Sequence, residues 1–570
     1  MKLCELNIKN YGCIGQQGVT IKIDNIVALL GSNNVGKTTV LNAYELFTES
    51  GKSQPISSFH NNCTDNPIEI CGIFSDLNEH DISQIGTKWI FQHTEYGESI
   101  KYKWVWKRVD SSGEKFSWNN EENNWVSGGM GGWDSKIASC IPIPLRINPF
   151  DKSSEMEIKI IEILTSAVKD SVKNNTGKLE GMIERLNSLA SEVKSEIAAS
   201  LTETTSRVAE NLVDVFPDYK VDIQPEAGKF EPEKIIAAGT HVMIRKGEGQ
   251  AYPLSNQGSG LQRTFLWSAI EALSNSGQLK KSRKAITNAE PRILLVEEPE
   301  SFLHPPAIRA ARESLYRISE LENWQVMITT HSPVFIDVSK PHTTIVRVDY
   351  CEQSGTRTFS TDKANFSNDE RERLHMIRAC NPSVNEFFFS DNVILVEGET
   401  EQAIFNTLNH NNSRTTIVNC YGKANIPMFQ KILNHFNIKY IVIHDLDSPK
   451  CKRRDSLINN PMWSINKKIL EESKQREGNK VIVNIPDFEG QYFGYLQKGD
   501  KPYNAIKEIR APEFIASPKY NELVNIANGE NIDTIARIVS NENDYKTNAL
   551  TYSETITDCG EQEKWTFDNN

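Results

Sequence analysis

The feature that most constrains this chain is a loop near its N-terminus, residues 31–38, with the sequence GSNNVGKT. An apolar run at 26–30 precedes the loop, and a helical pattern follows it to about residue 47. Between a buried strand and a helix, a loop of the form G-x-x-x-x-G-K-T directs its backbone N–H groups towards phosphate oxygens, which predicts a nucleotide site. Lys37 is expected to reach the β- and γ-phosphates, and Thr38 to bind Mg²⁺. The predicted nucleotide-binding residues are Gly31, Ser32, Asn33, Asn34, Val35, Gly36, Lys37, Thr38 and Thr39.

Two further strand ends carry residues suited to phosphate chemistry. The apolar strand 292–296 ends in the carboxylates of Glu297 and Glu298. One carboxylate can hold the Mg²⁺ shell and the next can polarise an attacking water, so we assign Glu297 to the metal and Glu298 to the water. His331 follows another apolar strand, where it can hydrogen-bond the γ-phosphate.

A fourth segment, 258–263, has the sequence GSGLQR and opens a predicted helix. Small residues at a helix N-terminus form an anion site. In this order with the other three motifs, the segment resembles the signature segment of ABC-type ATPases. That resemblance implies ATP as the nucleotide and a head-to-head dimer with two ATP molecules at its interface. It also implies that Ser259, Gly260 and Gln262 contact the nucleotide of the other subunit.

From residue 392 the pattern restarts as a second predicted parallel sheet, with strands at 392–396, 415–419 and 439–444 alternating with helices. Glu397 and Glu401 follow its first strand, and Asp445 and Asp447 follow its third. Because the carboxyl ends of parallel strands share one edge, these four carboxylates are expected to converge. They would repel one another without divalent cations, and hard oxygen ligands favour Mg²⁺ or Mn²⁺. Two such ions can clamp the attacking and leaving oxygens of a phosphodiester.

Residues downstream of this sheet also suit cleavage of a phosphodiester. Glu489, in the run Pro486-Asp487-Phe488-Glu489, can add a carboxylate. Either Lys501 or Lys507 can stabilise developing charge on a phosphate. Directly after the D-x-D strand, a basic loop is placed to grip a phosphate backbone. Its members are Lys450, Lys452, Arg453 and Arg454.

Composition limits the partners and the compartment. With 63 basic and 75 acidic side chains the net charge is −12, so nucleic acid must be bound by local basic patches or through metal ions. No run approaches the ~20 apolar residues of a membrane span, and no membrane partner is expected. The ten cysteines form no C-x-x-C pair, which argues against zinc and fits a reducing compartment. The N-terminus has no signal-peptide pattern, and a cytoplasmic location is expected.

The E-G…D-x-D combination looks like a Toprim domain, the metal-dependent fold of topoisomerases, primases and some nucleases. An ABC-type ATPase followed by a Toprim domain resembles the OLD (overcoming lysogenization defect) family of ATP-dependent nucleases. The motifs that carry the resemblance are GSNNVGKT (31–38), GSGLQR (258–263), LLVEEPESFLHP (294–305), THSP (330–333), VEGETE (396–401) and HDLD (444–447). Gly422-Lys423 is a further family detail.

The resemblance implies Mg²⁺-dependent cleavage of DNA controlled by an ATPase dimer, in a homodimer or homotetramer. Family members are bacterial and phage proteins, and several act in defence against phage. They include the nuclease subunit of Gabija systems and nucleases encoded beside retron reverse transcriptases. A defence partner is therefore implied, such as a helicase-like protein or a retron reverse transcriptase with its DNA–RNA product, in the bacterial cytoplasm.

The predicted fold class is α/β, with an ABC-type P-loop ATPase domain, a helical insertion and a parallel-sheet Toprim domain. The predicted boundaries are 1–152 and 217–387 for the ATPase domain, 153–216 for the insertion (a possible dimerisation arm), 388–510 for the Toprim domain and 511–570 for a helical region with an acidic tail. An ATP-gated DNA clamp or scaffold, whose nuclease activity depends on a partner, stays open as an alternative. An SMC-like repair ATPase is disfavoured because no long heptad arm is present. A topoisomerase ranks last, for want of a suitably placed tyrosine.

Overall fold

A computed structural model describes most of the chain outside residues 149–242. The described residues are 1–127, 140–148, 243–245, 250–258, 260–262, 265, 291–336, 343–360, 382–390, 392–409, 415–453, 456–494 and 499–567. The predicted insertion 153–216, together with Ser259 and Arg454, lies outside them. Strands and helices are numbered in chain order within the described residues.

The N-terminal part contains an antiparallel sheet. Its strands are β1 (Lys2–Lys9), β2 (Val19–Lys22), β4 (Ile68–Ser75), β5 (Phe91–His93), β6 (Gly97–Trp106), β7 (Glu114–Asn119) and β8 (Asn124–Ser127). They pair in the order β2-β1-β4-β6-β7-β8, and β5 pairs with β6. Alternate side chains of β1, such as Leu6 and Ile8, are buried, as expected for a sheet with one face on a core.

Next to it lies a largely parallel sheet that carries the phosphate loop. Its strands are β3 (Ile26–Leu30), β9 (Ile143–Ile147), β12 (Arg292–Glu297), β13 (Trp324–Thr329), β14 (Thr343–Cys351) and β15 (Gly355–Ser360). The order is β15-β14-β3-β13-β12-β9, and β15 is the antiparallel edge strand. The helices of this part are α1 (Lys37–Thr48), α2 (Glu79–Ile85) and α3 (Pro305–Ser319). All five residues of β3 are buried, because helices or strands cover both faces of this central strand.

A second parallel sheet follows, as the sequence predicted. Its strands are β16 (Asn392–Val396), β17 (Thr415–Asn419), β18 (Lys439–Asp445) and β21 (Lys480–Asn484), in the order β17-β16-β18-β21. Two hairpins, β10 (Met243–Arg245) with β11 (Ala251–Pro253) and β19 (Lys450–Arg453) with β20 (Ser456–Asn459), complete the described strands. The helices of this part are α4 (Glu399–Leu408), α5 (Ile426–His435), α6 (Pro461–Ser473) and α7 (Phe488–Phe493). The predicted α/β fold class is confirmed.

The C-terminal region packs onto the second sheet. Its helices are α8 (Lys501–Ile509), α9 (Pro512–Ile515), α10 (Pro518–Asn528), α11 (Glu542–Ser553) and α12 (Cys559–Gln562). The Val539 N–H donates to Val481 O at 2.9 Å, so the chain after α10 pairs with β21. Leu523 and Ile526 of α10 share one apolar cluster with Ile394 of β16. Residues beyond 510 therefore share the core of the second sheet.

A short segment, residues 382–390, joins the two parts and is called the linker below. Its Phe387 and Phe388 are buried, and Phe388 makes an edge contact with Phe436 at the end of α5, with ring centroids 4.8 Å apart. Ile328 of β13 and Leu395 of β16 belong to one continuous apolar cluster, so the two parallel sheets share a core. Within the described residues, no helix has the length and apolar character needed to cross a bilayer.

Candidate nucleotide and metal sites

Two glycines with positive φ shape the phosphate loop. Gly31 and Gly36 have φ values of 144° and 109°, in the region that favours glycine. A Cβ at Gly31 would collide with the Val348 carbonyl oxygen, and one at Gly36 would lie 2.6 Å from Thr356 Oγ1. The loop therefore depends on both glycines, and it leaves Ser32, Asn33 and Asn34 exposed.

Lys37 lies folded back over the loop. Its ammonium donates to Gly31 O at 2.9 Å and to Ser32 O at 2.7 Å, and its side chain is buried. Burial lowers the pKa of Lys37 to about 8, against the opposing charges of Glu298 and Glu300. Phosphate oxygens would be stronger acceptors than the two carbonyl oxygens, because they carry charge.

Glu297 and Thr38, both predicted to lie at the metal, are brought together at the carboxyl edge of the sheet. The Thr38 hydroxyl donates to Glu297 Oε2 at 3.4 Å. The Arg146 guanidinium, from β9, bonds the other carboxylate oxygen of Glu297. Arg146 was not identified from the sequence, because a lone arginine on a separate strand carries no motif. Thr39 lies beside the loop, with its hydroxyl 3.2 Å from Cys13 Sγ.

Glu298 and His331 also meet, from the ends of β12 and β13. His331 Nε2 lies 3.9 Å from Glu298 Oε1. Burial, together with the Lys37 ammonium, lowers the pKa of His331, so the ring is largely neutral at pH 7. Glu300 was missed from the sequence, although it is the third carboxylate of the same motif. It accepts from the Thr330 hydroxyl at 2.8 Å and from the His331 N–H at 2.6 Å, and so fixes the histidine backbone.

The signature-like segment lies near these carboxylates. A Cβ at Gly260 would come 3.0 Å from Leu303 Cδ2, so the segment packs closely on the chain that follows β12. Gln262 is only 1% exposed, and its amide donates to Gln257 O at 2.7 Å. The side chain of Gln262 thus points into its own chain, while contact of Gly260 and Ser259 with a second subunit's nucleotide stays a prediction.

A pocket of about 520 Å³ opens between the phosphate loop and the second sheet. On one side it is lined by Ser32, Asn33 and His331, and on the other by Phe389 of the linker and Thr416 of β17. The rings of His331 and Phe389 have centroids 6.3 Å apart. The next linker residue, Ser390, shares a hydrogen bond between hydroxyls with Thr416. The phosphate end of the nucleotide site therefore borders the second sheet directly.

The carboxylates of the second sheet converge at its carboxyl edge. Glu397 directly follows β16, and its Oε2 accepts a hydrogen bond at 3.3 Å from the N–H of Asp445, which ends β18. Glu401, in the first turn of α4, is 5% exposed. Asn484 closes the row at the end of β21, and its amide donates to Asp445 Oδ1 at 3.4 Å.

Because the carboxylates at this edge are buried away from water, their charged forms are strongly disfavoured. Burial and the carboxylates of Glu397, Glu401 and Asp487 raise the pKa of Asp445 well above its usual range. Burial, with Glu397 and Glu489 nearby, raises the pKa of Glu401 to about 7. Burial also raises the pKa of Glu397, although Lys423 opposes that shift. Such a cluster is stabilised by a bound cation.

Asp447 contacts a buried lysine. Lys423 Nζ lies 2.5 Å from Asp447 Oδ2 and donates to Asp445 O at 2.6 Å. Across the described ranges, no three acidic, histidine or cysteine groups are arranged tightly enough to hold a metal ion. The donor chemistry nevertheless fits a hard cation, because the carboxylates are joined by the Asn484 carbonyl oxygen, which is buried without a hydrogen-bond partner.

Glu489 and Lys501 lie at the same edge, as an ion pair. Lys501 Nζ is 3.2 Å from Glu489 Oε1, which also accepts from the Thr400 hydroxyl at 3.3 Å. Burial alone would lower the pKa of Lys501, but the negative charges of Glu489, Asp487 and Asp445 outweigh burial and raise that pKa. Asp487, which the sequence interpretation passed over in favour of Glu489, is thus close to the centre. In the basic loop, Lys452 and Arg453 are exposed on β19.

A phosphate-loop domain and a parallel sheet with an acidic edge define the class as an ATPase domain joined to a Toprim domain. The AAA ATPase domain family matches residues 1–128 and 147–336, more than half of the chain, and the chain belongs to that family. Residues 388–447 match the overcoming lysogenization defect protein-like Toprim domain. The predicted relationship to the OLD family is confirmed.

Three relatives extend this similarity along the chain. The Old nuclease of Escherichia phage P2 is 24% identical over 488 residues, covering 78% of this chain and 77% of the relative. The OLD nuclease of Thermus scotoductus is 23% identical, covering 90% and 96%. Endonuclease GajA of Bacillus cereus is 23% identical, covering 71% and 67%. At the level of its domains, the prediction of an ATPase and metal-dependent nuclease is confirmed.

Proposed function

We propose that this protein is an ATP-regulated, divalent-metal-dependent DNA endonuclease. The observation that carries the proposal is the shared edge of β16 and β18, where Glu397 and Asp445 lie in hydrogen-bond contact and have raised pKa values. Buried carboxylates of this kind favour a cation, and Mg²⁺ or Mn²⁺ would activate water and stabilise charge on a phosphodiester.

Each residue of the edge has a role in this proposal. Glu397, Glu401, Asp445 and Asp447 hold the metal. Glu489 orients Lys501, which contacts it at 3.2 Å, and the Lys501 ammonium stabilises negative charge on the phosphate being cleaved. Lys452 and Arg453, exposed on the neighbouring hairpin, contact the DNA backbone.

The nucleotide site regulates cleavage in this proposal. Residues 31–39 bind ATP, Thr38 and Glu297 hold its Mg²⁺, Glu298 polarises water, and His331 contacts the γ-phosphate. Ser259 and Gly260 belong to the interface of a homodimer or homotetramer, while the buried Gln262 side chain supports the segment through its bond to Gln257 O. The proposal is supported by the pocket in which His331 lies next to Phe389 of the linker. A change at the γ-phosphate that moves His331 would there alter its contact with Phe389 and so act on the Toprim sheet.

A second candidate function is an ATP-gated DNA clamp or scaffold that cleaves only with a partner. One observation favours it. No ready-made metal cluster is found in the part of the chain that the structure describes, and one carboxylate oxygen of Asp447 is occupied by Lys423. A partner or DNA would then be needed to complete the metal centre.

The biological setting follows from the relatives, and it is part of the proposal. The similarity to Endonuclease GajA and to a phage Old nuclease supports a role in defence against phage in the bacterial cytoplasm. A helicase-like protein, or a retron reverse transcriptase with its DNA–RNA product, is the expected kind of partner. Affinity purification of the chain together with its genomic neighbours tests this part separately.

Cleavage of supercoiled plasmid tests the nuclease. Purified protein is incubated with Mg²⁺ or Mn²⁺, beside Asp445→Ala and a surface control, Lys467→Ala, whose ammonium pairs with exposed Glu542. Nicking or linearisation by wild type and by the control, but not by Asp445→Ala, is the expected result. Intact plasmid in every lane, alongside DNA binding that depends on ATP, would favour the clamp.

A further inference from the structure

We propose that Lys423 is a positioning residue of the metal centre, which holds Asp447 and the turn after β18 in the geometry that binds a divalent ion. This inference rests on the proposed nuclease function, and it assigns a task to a residue outside the acidic set. Lys423 lies directly before α5, in a short helical turn, and its side chain is 1% exposed.

All the hydrogen-bonding capacity of the ammonium is directed at the D-x-D turn. Lys423 Nζ donates to Asp445 O at 2.6 Å, to Leu446 O at 3.4 Å and to Asp447 Oδ2 at 2.5 Å. An ammonium has three N–H donors, so each donor has an acceptor. Asp447 has a φ of 58°, in the left-handed region that aspartate adopts more readily than most residues, and the bonds from Lys423 bracket this turn.

The same lysine reaches the first strand of the site. Its ammonium charge and its backbone N–H both lower the pKa of Glu397, against burial, which raises it. Lys423 therefore contacts or influences residues from β16, β18 and the turn beyond. A neutral donor would satisfy the carbonyl oxygens, but only a cation also offsets the charge of the surrounding carboxylates.

The contact leaves Asp447 able to bind metal. One carboxylate oxygen is occupied by Lys423, while the side chain of Asp447 is still 32% exposed. A carboxylate has two oxygens and can accept from a donor with one while it binds an ion with the other. Partners that hold a metal-binding carboxylate in this way typically change metal affinity by roughly 10- to 100-fold when removed.

A purely structural role for Lys423 makes a different prediction. Gln430, on α5, is also fully buried, and its amide donates to Ile469 O at 2.9 Å, away from the carboxylates. Replacing Gln430 disturbs the same part of the fold without touching the D-x-D turn. Gln430→Met is therefore the matched control for Lys423→Met.

The test measures Mn²⁺ binding by electron paramagnetic resonance, on the full chain without nucleotide or DNA. The variants are Lys423→Met, Lys423→Gln, Asp447→Asn and the double variant Lys423→Met with Asp447→Asn. We expect roughly 10- to 100-fold weaker binding for either lysine variant, and a double variant no weaker than Asp447→Asn alone. Gln430→Met should lower the melting temperature and keep wild-type Mn²⁺ affinity.

Three results would overturn the proposal: unchanged Mn²⁺ affinity in both lysine variants, tighter binding, or losses that add in the double variant. If Lys423→Met does not fold, Lys423→Gln decides the matter, because it keeps a donor and removes the charge. Metal affinity is read without cleavage. A wild-type protein whose Mn²⁺ affinity depends on Lys423 and Asp447 but which never cuts DNA would contradict the proposed nuclease and leave this inference standing.

Discussion

The nucleotide site and the carboxylate centre of this chain solve opposite electrostatic problems. The nucleotide site presents donors: loop amides, and a Lys37 ammonium that bonds two carbonyl oxygens of its own loop. The carboxylate centre presents acceptors that water no longer stabilises, and the pKa of Asp445 is raised by burial. One site is built to receive an anion and the other a cation.

The difference determines how much of each site exists before its ligand arrives. The phosphate loop is held by hydrogen bonds from Lys37 to the Gly31 and Ser32 carbonyl oxygens and from Thr356 to the Val35 carbonyl oxygen, and its glycines allow φ values of 144° and 109°. At the carboxylate centre, Lys423 supplies positive charge at Asp447 and the remaining carboxylates stay unfavourable when charged. We therefore expect the nucleotide site to be preformed and the metal centre to be completed by its ion.

Removing the central carboxylate, Asp445, should have the largest effect on the cleavage rate. Asp445→Asn is expected to lower the cleavage rate by more than the roughly 100-fold typical of a residue that only supports a metal ligand. Without metal, the same variant should be more stable than wild type at pH 8, because the folded chain no longer buries a carboxyl group whose charged form is disfavoured there. Single-turnover cleavage and thermal unfolding check the two effects. A variant that is both inactive and less stable would contradict the electrostatic account.

Lys37→Ala should affect only the other site. Losing a charged hydrogen-bond donor costs about 1.5–3 kcal/mol, which is roughly a 10- to 150-fold loss in ATP affinity. Calorimetric titration with ATP measures the loss, and Lys52→Ala, which removes an exposed lysine paired with Glu49, is the control. Mn²⁺ affinity of the carboxylate centre should stay at the wild-type value, and a large drop there would mean that the sites are not separate.

A change in pH should alter ligand affinity at the two sites in opposite directions. The pKa of Glu401 is raised to about 7 by burial, so lowering the pH from 8 to 6 should weaken Mn²⁺ binding about tenfold. The pKa of Lys37 is lowered to about 8 by burial, so ATP binding should instead weaken as the pH rises above 8. Binding titrations across this range check both trends, and Glu401→Gln should flatten the first.

The sign for stability follows from the same shift. Glu401 holds its proton more tightly in the folded chain than in the unfolded one, where its pKa is near 4.5. Its contribution is therefore present below pH 4.5 and is lost as the pH rises to about 7 in metal-free protein. Saturating Mn²⁺ should restore the lost stability at pH 8, whereas a metal-free wild type whose stability rises across this window would contradict the assignment.

The smallest expected effect lies at the contact between the sites. Ser390→Ala removes the hydroxyl that bonds Thr416, and one hydrogen bond is worth about 1 kcal/mol. The ratio of cleavage rates with and without ATP should move towards unity by at most about fivefold, the factor that corresponds to this energy. Ser553→Ala, which removes a buried hydroxyl bonded to Leu550 O at 2.7 Å, is the control and should leave the ratio unchanged.

Features of the sites that depend on strand order could be predicted from the sequence. Glu397 and Asp445 could be predicted to meet because each ends a buried strand, and parallel strands end at one edge. Glu298 and His331 meet for the same reason, from β12 and β13. Side-chain contacts between elements carry no such pattern, which is why the Arg146–Glu297 pair and the Phe389–His331 contact were not foreseen.

Long-range pairing of irregular chain was also beyond the sequence. Residues after α10 pair with β21 through Val539 and Val481, although their sequence lacks the alternation of apolar and polar residues that predicts a strand. The predicted domain boundary at residue 510 separated the second sheet from a helical region with an acidic tail, whereas the core of the second sheet extends past it to Leu523 and Ile526. Gln262 shows a third case, since its motif suggests exposure while the fold buries its side chain.

The cleavage rate as a function of ATP concentration tests the central claim most directly, that one chain couples a nucleotide site to a metal-dependent nuclease. The rate is measured on supercoiled plasmid at fixed Mn²⁺, for wild type and Lys37→Ala. We expect ATP to change the wild-type rate in a saturable way, and we expect Lys37→Ala to need roughly 10- to 150-fold more ATP for the same change. Equal rates at every ATP concentration in the wild-type protein, with ATP shown to be bound, would contradict it.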